Sequence, residues 1–216
     1  MPTSDNAPAE APKDCDLCSR LVTYRADNAL AHPTWFNGAV PSFGDPQASL
    51  LIVGLAPGVT GANRTGRPFT GDWAGDLLYP TLDKFGLSKG TFDARPNDGL
   101  ELVSCMITNA VRCVPPQNKP VAAEINACRP FLAARIAGLP RLKQIITLGK
   151  IAHDSTVRAL GGRVAAHPFG HGAVSEIGGL TLRASYHCSR YNTNTGRLTP
   201  AMFEAVFSGA WEAMAT

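Results

Sequence analysis

The sequence predicts an α/β fold in which a mainly parallel sheet of four strands is covered by helices on both faces. Short, continuously apolar runs alternate along the chain with helix-like segments, an order typical of parallel strand–helix units. The 216 residues, 44% of them hydrophobic, suffice for one domain with a full core. We expect residues 14–216 to form that domain and residues 1–13, rich in Pro and Ala, to be a flexible tail.

The composition also bounds location and partners. No apolar run approaches the roughly 20 residues of a membrane helix, and the N-terminus lacks the apolar segment of a secretory signal. We therefore expect a cytoplasmic monomer with no membrane partner. The net charge is only +3, but Arg outnumbers Lys by 14 to 6, and several arginines lie in loops rich in Gly, Thr and Asn. The guanidinium suits phosphate oxygens; simple solvation of the surface explains the same pattern.

The first predicted strand, Ser49–Val53, runs into a long loop, Leu55–Trp73, before a helix pattern from about Ala74 to Phe85. Most connections between such elements are short. Open α/β sheets bind their ligands at the carboxyl ends of the strands. This loop, rich in Gly, Thr and Arg, is therefore predicted to be a catalytic loop.

The later elements repeat this order. Strands are predicted at Leu100–Ile107, Lys143–Leu148 and Leu180–Ser185, and helices at about Val121–Ala137, Lys150–Leu160 and from Pro200 onwards. The sequence before Pro46 is polar and turn-rich, and His167–Gly179 is expected to be irregular. Two further strand ends run into polar segments, Asn109–Cys113 and Tyr186–Leu198, so three loops are expected at one edge of the sheet.

These loops offer an aromatic ring, an amide, a carboxylate and an imidazole, from Phe69, Asn109, Asp72 and His187. No Ser-His-Asp, zinc-protease, P-loop or dinucleotide-binding pattern accompanies them. The set is typical of a pocket that stacks on a flat heterocycle and reads its edge.

Four of the six cysteines form two groups, Cys15-x2-Cys18 and Cys113-x14-Cys128. Disulfides are rare in cytosolic proteins, so grouped cysteines suggest a metal site. Cys128 alone would be an ordinary buried residue on the apolar stripe of its helix. The spacing leaves structural zinc, an iron–sulfur cluster and free thiols open.

Three motifs, GLAPG…NRTGRPFTGD, TNAVRC-x-PP…C and H-x-S-R-x-N-T-x-T-G-R-L-T, together with these cysteines resemble the iron–sulfur uracil-DNA glycosylases, specifically the type-B group or family five. The match extends from Cys15 to the final helix. The resemblance implies a three-layer α/β/α sandwich and a [4Fe–4S] cluster on Cys15, Cys18, Cys113 and Cys128. It also implies a monofunctional DNA glycosylase of base excision repair. Such an enzyme flips deaminated bases (uracil, also hypoxanthine and xanthine) out of DNA and hydrolyses the N-glycosidic bond.

The resemblance gives each site residue a role. Phe69 would stack on the base, Asn109 would pair with its edge, and His187 would donate to a base oxygen. The backbone at Ala56 and Gly58 would help to hold the base. Asp72 would orient the water or stabilise the sugar cation, although Asp before a helix is usually an N-cap. The predicted DNA contacts are Arg64 and Arg67 on phosphates, and Ser189, Arg190, Asn192, Thr193 and Arg197 in the loop that fills the gap in the duplex.

Two departures from the family pattern are informative. Leu55 and Ala56 stand where related glycosylases carry a polar residue, which moves the catalytic role to Asp72, and Trp73 stands where we expect a smaller residue. Two other functions fit the same residues. One is a non-catalytic damaged-DNA-binding module that keeps the cluster and the wedge loop, and the other is a zinc-stabilised nucleotide-processing enzyme.

Overall fold

The computed structural model describes residues 9–215 and has a central, mostly parallel sheet between two layers of helices. The helices are α1 (Ser19–Ala31), α2 (Ala62–Thr65), α3 (Trp73–Lys84), α4 (Ala122–Ala137), α5 (Lys150–Ala159), α6 (Arg190–Asn194) and α7 (Pro200–Ala215). The strands are β1 (Phe43–Gly44), β2 (Leu50–Gly54), β3 (Ser88–Lys89), β4 (Glu101–Leu102), β5 (Cys105–Asn109), β6 (Gln144–Leu148), β7 (Val174–Ile177) and β8 (Leu180–Ser185). Within residues 9–215, no helix has the length and apolar character needed to cross a membrane.

The central sheet has six strands in the order β1-β5-β2-β6-β8-β7. The four inner strands are parallel and correspond to the four predicted segments, whereas β1 and β7 add antiparallel edges. The predicted strand Leu100–Ile107 is divided: β4 pairs with β3 in a separate two-stranded sheet, and only β5 belongs to the central sheet. Between β4 and β5, Ser104 has a φ of 51°, which interrupts the extended backbone. The α/β fold class is confirmed, but the predicted number of strands is wrong. The edge strands are short and partly exposed, and they lie in segments that the sequence analysis took as turn-rich or irregular. Edges of this kind lack the apolar run of a strand buried on both faces.

Two apolar cores lie on opposite faces of the sheet. Alternate side chains of a strand point to opposite faces, so β2 supplies Leu50 and Ile52 to one core and Leu51 and Val53 to the other. The first core is closed by α3 and α7, and the second by α4 and α5. All five residues of β2 are buried, which explains why the strand is one continuous apolar run in the sequence.

Helix α1 was not predicted from the sequence. Its buried side chains are Leu21, Arg25 and Asn28, at spacings of four and three residues. The spacing is helical, but two of the three side chains are polar. A search for apolar periodicity therefore does not find this stripe.

The N-terminal segment departs in part from the predicted tail of residues 1–13. Residues 1–8 lie outside the described residues. The Glu10 carboxylate accepts hydrogen bonds from Arg112 Nη1 at 2.7 Å and from the Ser42 backbone N–H at 2.9 Å, and it also pairs with Arg135. The Lys13 ammonium lies 4.7 Å from the centre of the Phe36 ring. Residues 9–13 are thus held against the domain.

Candidate active site

The carboxyl ends of β2, β5 and β8 bring the three predicted loops to one edge of the sheet. Gly54 at the end of β2 pairs in register with Asn109 at the end of β5, and β8 ends two residues before His187. A cleft of about 490 Å³ opens at this edge. Six predicted site residues line it, namely Ala56, Gly58, Asp72, His187, Ser189 and Arg190.

Asp72 caps helix α3 and also lies in the cleft wall. Its Oδ1 accepts a hydrogen bond from the Gly75 backbone N–H at 3.2 Å. Its Oδ2 lies over Gly61, where an added Cβ would be only 2.5 Å from the oxygen. Burial raises the pKa of the Asp72 carboxyl above its ordinary value, against the lowering effect of the backbone N–H groups of Gly75 and Ala74. The N-cap geometry therefore leaves one carboxylate oxygen directed away from the helix.

Phe69 and Asn109 meet behind the cleft, over Gly54. A Cβ added at Gly54 would lie 2.4 Å from Asn109 Oδ1 and 2.6 Å from Phe69 Cζ, so only glycine fits there. The two side chains are 6% and 3% exposed, which makes them a buried floor below the residues that line the cleft. Asn109 Oδ1 has no hydrogen-bond partner among the described residues. A buried polar atom left unpaired costs about 1–3 kcal/mol.

His187 lies between the cleft and Phe69. The two ring centres are 6.1 Å apart, with 28° between the ring planes. Burial lowers the pKa of His187 to about 4, so the imidazole is neutral near pH 7. Its Nδ1 has no hydrogen-bond partner within residues 9–215. A neutral imidazole keeps one N–H donor and one acceptor nitrogen, which suits contact with a polar ligand edge.

The backbone holds Phe69 in an unusual conformation. Its φ of 54° lies in the left-handed region, which is uncommon for a residue with a side chain. Its carbonyl oxygen packs against Gly75, where an added Cβ would be 2.0 Å away. On either side, Arg67 Nε donates to Thr70 Oγ1 at 2.7 Å, and the guanidinium forms two hydrogen bonds with Asp98 at 2.7 and 2.6 Å. The loop around Phe69 is therefore fixed from both directions.

Arg67 does not face DNA, and the prediction that it contacts phosphates is contradicted by its burial. The side chain is 4% exposed, and its guanidinium lies 5.1–5.7 Å from the rings of Phe43, Tyr79 and Phe92. Hydrogen bonding from Arg67 is the main cause that holds the pKa of Asp98 well below its ordinary value. An arginine between Gly and Pro in a long loop is predicted to be exposed, because the sequence does not show its carboxylate partner.

The other predicted DNA-contacting arginines are exposed. Arg64 Nε donates to the Thr60 carbonyl oxygen at 2.8 Å, within the long loop. The Arg190 guanidinium lies 5.4 Å from the Trp73 ring at the cleft, and that of Arg197 lies 4.7 Å from the Tyr186 ring. All three can present positive charge to an anionic ligand near the cleft.

The segment predicted as a flexible loop begins with the short helix α6. Ser189 Oγ accepts a hydrogen bond from the Asn192 backbone N–H at 3.4 Å, and Asn192 Nδ2 donates to the His187 carbonyl oxygen at 2.9 Å. Thr193 Oγ1 accepts a hydrogen bond from the Trp73 indole N–H at 2.9 Å. Four of the five predicted DNA-contacting residues of this segment, Ser189, Arg190, Asn192 and Thr193, thus lie on α6 or at its N-cap, and Arg197 lies beyond its end.

Six of the twelve residues that line the cleft lay outside the predicted set, namely Leu55, Val59, Thr60, Trp73, Ala74 and Asn118. Asn118 follows the Pro115-Pro116 pair with a φ of 56° and is exposed at the cleft. Two prolines followed by polar residues predict a turn, but nothing in the sequence directs that turn to the cleft. Trp73, which the sequence marks only as a departure from the family pattern, is 45% exposed and lines the cleft beside Asp72.

The four predicted cysteine ligands surround a second, smaller cavity. Cys15 and Cys18 come from the segment that leads into α1, Cys113 from the segment after β5, and Cys128 from the middle of α4. The rest of this cavity wall is mostly apolar. No group of three or more His, Cys, Asp or Glu side chains within residues 9–215 is arranged to hold a metal ion.

Buried donors reach two of these sulfurs. Arg25 Nη1 lies 3.2 Å from Cys113 Sγ, and the Arg112 backbone N–H lies 3.2 Å from Cys128 Sγ. Arg25 is 7% exposed, so its charge acts where water has little access. Burial raises the pKa of both thiols, that of Cys128 to about 12, against the lowering effect of these donors. Hydrogen bonds to sulfur are the usual surroundings of bound cysteine thiolates, so this donor set fits a group that four thiolates hold.

Fold and cleft together define an α/β enzyme whose site lies at the carboxyl edge of a parallel sheet. A family model described as the uracil DNA glycosylase superfamily matches residues 41–211. The chain is 46% identical over 202 residues to a type-5 uracil-DNA glycosylase of Thermus thermophilus, which covers 91% of this chain and 92% of that protein. The chain belongs to the uracil-DNA glycosylase superfamily, as the three motifs predict.

Two further relatives carry the same description. A type-5 uracil-DNA glycosylase of Mycobacterium tuberculosis is 41% identical over 206 residues, covering 91% of this chain and 76% of that protein. One of Pyrobaculum aerophilum is 39% identical over 190 residues, covering 86% of this chain and 83% of that protein. The similarity therefore extends to relatives from both bacteria and archaea.

Proposed function

We propose that this enzyme, a DNA glycosylase, removes uracil from DNA by hydrolysing the bond between base and deoxyribose, leaving an abasic site. The observation that carries the proposal is the pair of unpartnered polar atoms beside Phe69, namely Asn109 Oδ1 and His187 Nδ1. Uracil is flat and presents an N–H flanked by carbonyl oxygens. Its N–H can satisfy Asn109 Oδ1, and a neighbouring carbonyl oxygen can accept a hydrogen bond from His187.

The base must leave the duplex to reach this floor. Enzymes that act on a base extrude its nucleotide into a pocket, and the unstacking costs a few kcal/mol. The exposed side chains of Arg64, Arg190 and Arg197 would bind the backbone phosphates near the flipped nucleotide. That binding is independent of sequence and weakens as salt is added.

The chemistry breaks the bond between the sugar C1′ and the base nitrogen. The electron pair leaves with the base, and positive charge develops on the sugar. The N–H of neutral His187 would donate to a base carbonyl oxygen and stabilise the departing anion. A water molecule adds its oxygen to C1′, and the proton that it loses passes to the base anion, directly or through solvent, so that the products are the C1′ hydroxyl of the abasic site and the neutral free base. The Asp72 carboxylate in the cleft wall would orient this water and stabilise the cationic sugar.

The proposal extends to hypoxanthine and xanthine. These deaminated purines carry the same N–H beside a carbonyl oxygen that Asn109 and His187 would read in uracil. Adenine presents an acceptor nitrogen and an amino group at those positions, so it would face Asn109 Oδ1 and a donating His187 with mismatched groups. A cleft of about 490 Å³ has room for the second ring of a purine.

We also propose that Cys15, Cys18, Cys113 and Cys128 hold a [4Fe–4S] cluster. Bound there, it would join the N-terminal segment to α4 and brace the fold. Purified protein that is brown, with iron and acid-labile sulfide in equal amounts near four per chain, is the expected result for a [4Fe–4S] centre. A colourless protein that contains zinc would overturn this part of the proposal.

The test of the main proposal is base excision from a duplex with one uracil, read as strand breaks after alkali. Asn keeps the N-cap of α3, so Asp72→Asn should fold and bind DNA but lose roughly 100-fold or more of the single-turnover rate. Asp76→Asn, an exposed carboxylate in the same first turn, is the matched control and should stay within about two-fold of wild type. A wild-type chain that binds the duplex but leaves uracil in place would favour the non-catalytic binding module.

A further inference from the structure

Helix α6 has few attachments to the rest of the domain. It has five residues and none of them is buried. Isolated helices this short are unstable in water, so its position depends on its tethers. Asn192 joins it to the preceding His187 carbonyl oxygen, and the Leu198 backbone N–H donates to the Asn192 carbonyl oxygen at 3.0 Å. Both tethers connect α6 only to its own flanking residues.

Trp73 provides the tether to another part of the domain. Its indole N–H donates to Thr193 Oγ1 at 2.9 Å across 120 positions of sequence. The Arg190 guanidinium lies 5.4 Å from the same ring, in the range of a cation–π contact. In the part of the chain that the structure describes, no other hydrogen bond joins α6 to a residue outside 187–198. The indole therefore fixes the side of α6 that faces the cleft.

The position of Trp73 in the chain links this tether to the chemistry. Trp73 is the first residue of α3 and directly follows Asp72, and its side chain lines the cleft. One end of the contact is therefore adjacent to the carboxylate proposed to act on the sugar. The other end is on the helix whose residues would face the DNA where the base has left. The contact holds these two surfaces at a set separation before DNA arrives.

We propose that Trp73 is a positioning residue, which locks α6 against the Asp72 segment so that the helix is ready to fill the gap in a duplex. The inference rests on the proposed glycosylase function and adds a requirement specific to duplex DNA. Filling a gap opposite an orphaned base matters only when a second strand is present. Excision from single-stranded DNA needs no such support, because its bases are already unpaired.

The test measures single-turnover excision of uracil from duplex and from single-stranded DNA of the same sequence. Trp73→Phe keeps an aromatic ring and removes the N–H donor, and Thr193→Val removes the acceptor with little change in shape. Each variant should lower the maximal duplex rate roughly 3- to 10-fold, the worth of one hydrogen bond. The maximal rate on single strands should fall less than the duplex rate, so the ratio of the two losses is the readout. The double variant should be no slower than either single variant, because both remove the same contact.

Thr195→Val is the matched control, since Thr195 Oγ1 donates only within the helix segment, to the Tyr191 and Asn192 carbonyl oxygens. It should leave both rates within about two-fold of wild type. Equal losses on duplex and single strands would overturn the inference, because they would mean that Trp73 acts through Asp72. Unchanged variants, or losses that multiply in the double variant, would overturn it as well. A wild-type chain inactive on both forms would overturn the proposed function and this inference with it.

Discussion

The cleft and the cysteine cavity differ in how the buried polar atoms of each region are paired. In the cleft, buried polar atoms of Asn109 and His187 are left without partners, and the burial of Asp72 raises its pKa. Around the cysteines, Arg25 and the Arg112 backbone bring donors to two of the sulfurs, and apolar side chains complete the wall. The first region leaves these two atoms unpaired, whereas in the second donors already reach two of the four sulfurs, although the buried Arg112 Nε there has no partner among the described residues.

This difference indicates how ligand binding would change the stability of each region. Unpaired atoms at a site cost stability in the free protein and are satisfied when substrate binds. The cysteine cavity would gain stability when the proposed cluster is bound. Substitutions in the cleft should therefore reduce activity with little loss of stability. Substitutions among the four cysteines should mainly reduce stability.

The largest expected effect is on the cysteine side. Cys128→Ala should abolish visible absorbance and lower the free energy of unfolding by at least about 3 kcal/mol, because one ligand of the proposed cluster is lost. Cys105→Ala removes a fully buried thiol outside the cavity and should cost only about 1 kcal/mol, the effect of a small void. Chemical denaturation monitored by circular dichroism gives both values. Equal losses in the two variants would make the cavity an ordinary part of the core.

At the candidate active site, Asn109→Ala should reduce activity strongly and change stability little. Removal of the amide deletes an unpaired buried oxygen, so the free energy of unfolding should change by less than about 1 kcal/mol in either direction. Excision should slow roughly 100-fold, because the contact that reads the base edge is lost. Single-turnover kinetics and denaturation on the same preparation test the pair of outcomes. A variant that keeps its rate, or that loses several kcal/mol of stability, would remove the contrast between the regions.

The smallest expected effect is the pH dependence that His187 adds. Its folded pKa of about 4 is below the ordinary value of 6.5, so the unfolded chain binds the proton more readily. The stability that His187 contributes is complete above the unfolded pKa and is lost as pH falls from about 6.5 towards 4. The difference in unfolding free energy between pH 7 and pH 5 should therefore shrink by about 1–2 kcal/mol in His187→Asn. An identical pH profile in wild type and variant would contradict this assignment.

Much of the fold follows from the sequence because the inner strands are buried on both faces. Continuous apolar runs such as Leu50–Val53 predict such strands without knowledge of their neighbours. The edge strand Phe43–Gly44 and helix Ser19–Ala31 were missed for the opposite reason. Both residues of the edge strand are half-exposed, and the buried stripe of the helix includes polar residues such as Arg25. Their structure therefore depends on strand pairing and tertiary packing, which an apolar pattern does not show.

The site was predictable to the extent that strand ends determine it. Asn109 ends one buried strand and His187 follows another, so their convergence at one edge follows from parallel topology. The partners of side chains in loops do not follow in this way. Arg67 pairs with Asp98 31 positions away, and Trp73 with Thr193 120 positions away. Such contacts depend on how whole loops fold back, which no local pattern encodes.

The order of the two regions along the chain has a consequence for biosynthesis. Residues 11–131 supply the entire wall of the cysteine cavity, whereas the cleft requires residues up to 190. Chains fold from the N-terminus as they leave the ribosome. All four thiols have therefore emerged while His187 and α6 are still to be translated. The residues of the cysteine cavity are therefore all available in an unfinished chain, before those of the cleft are complete.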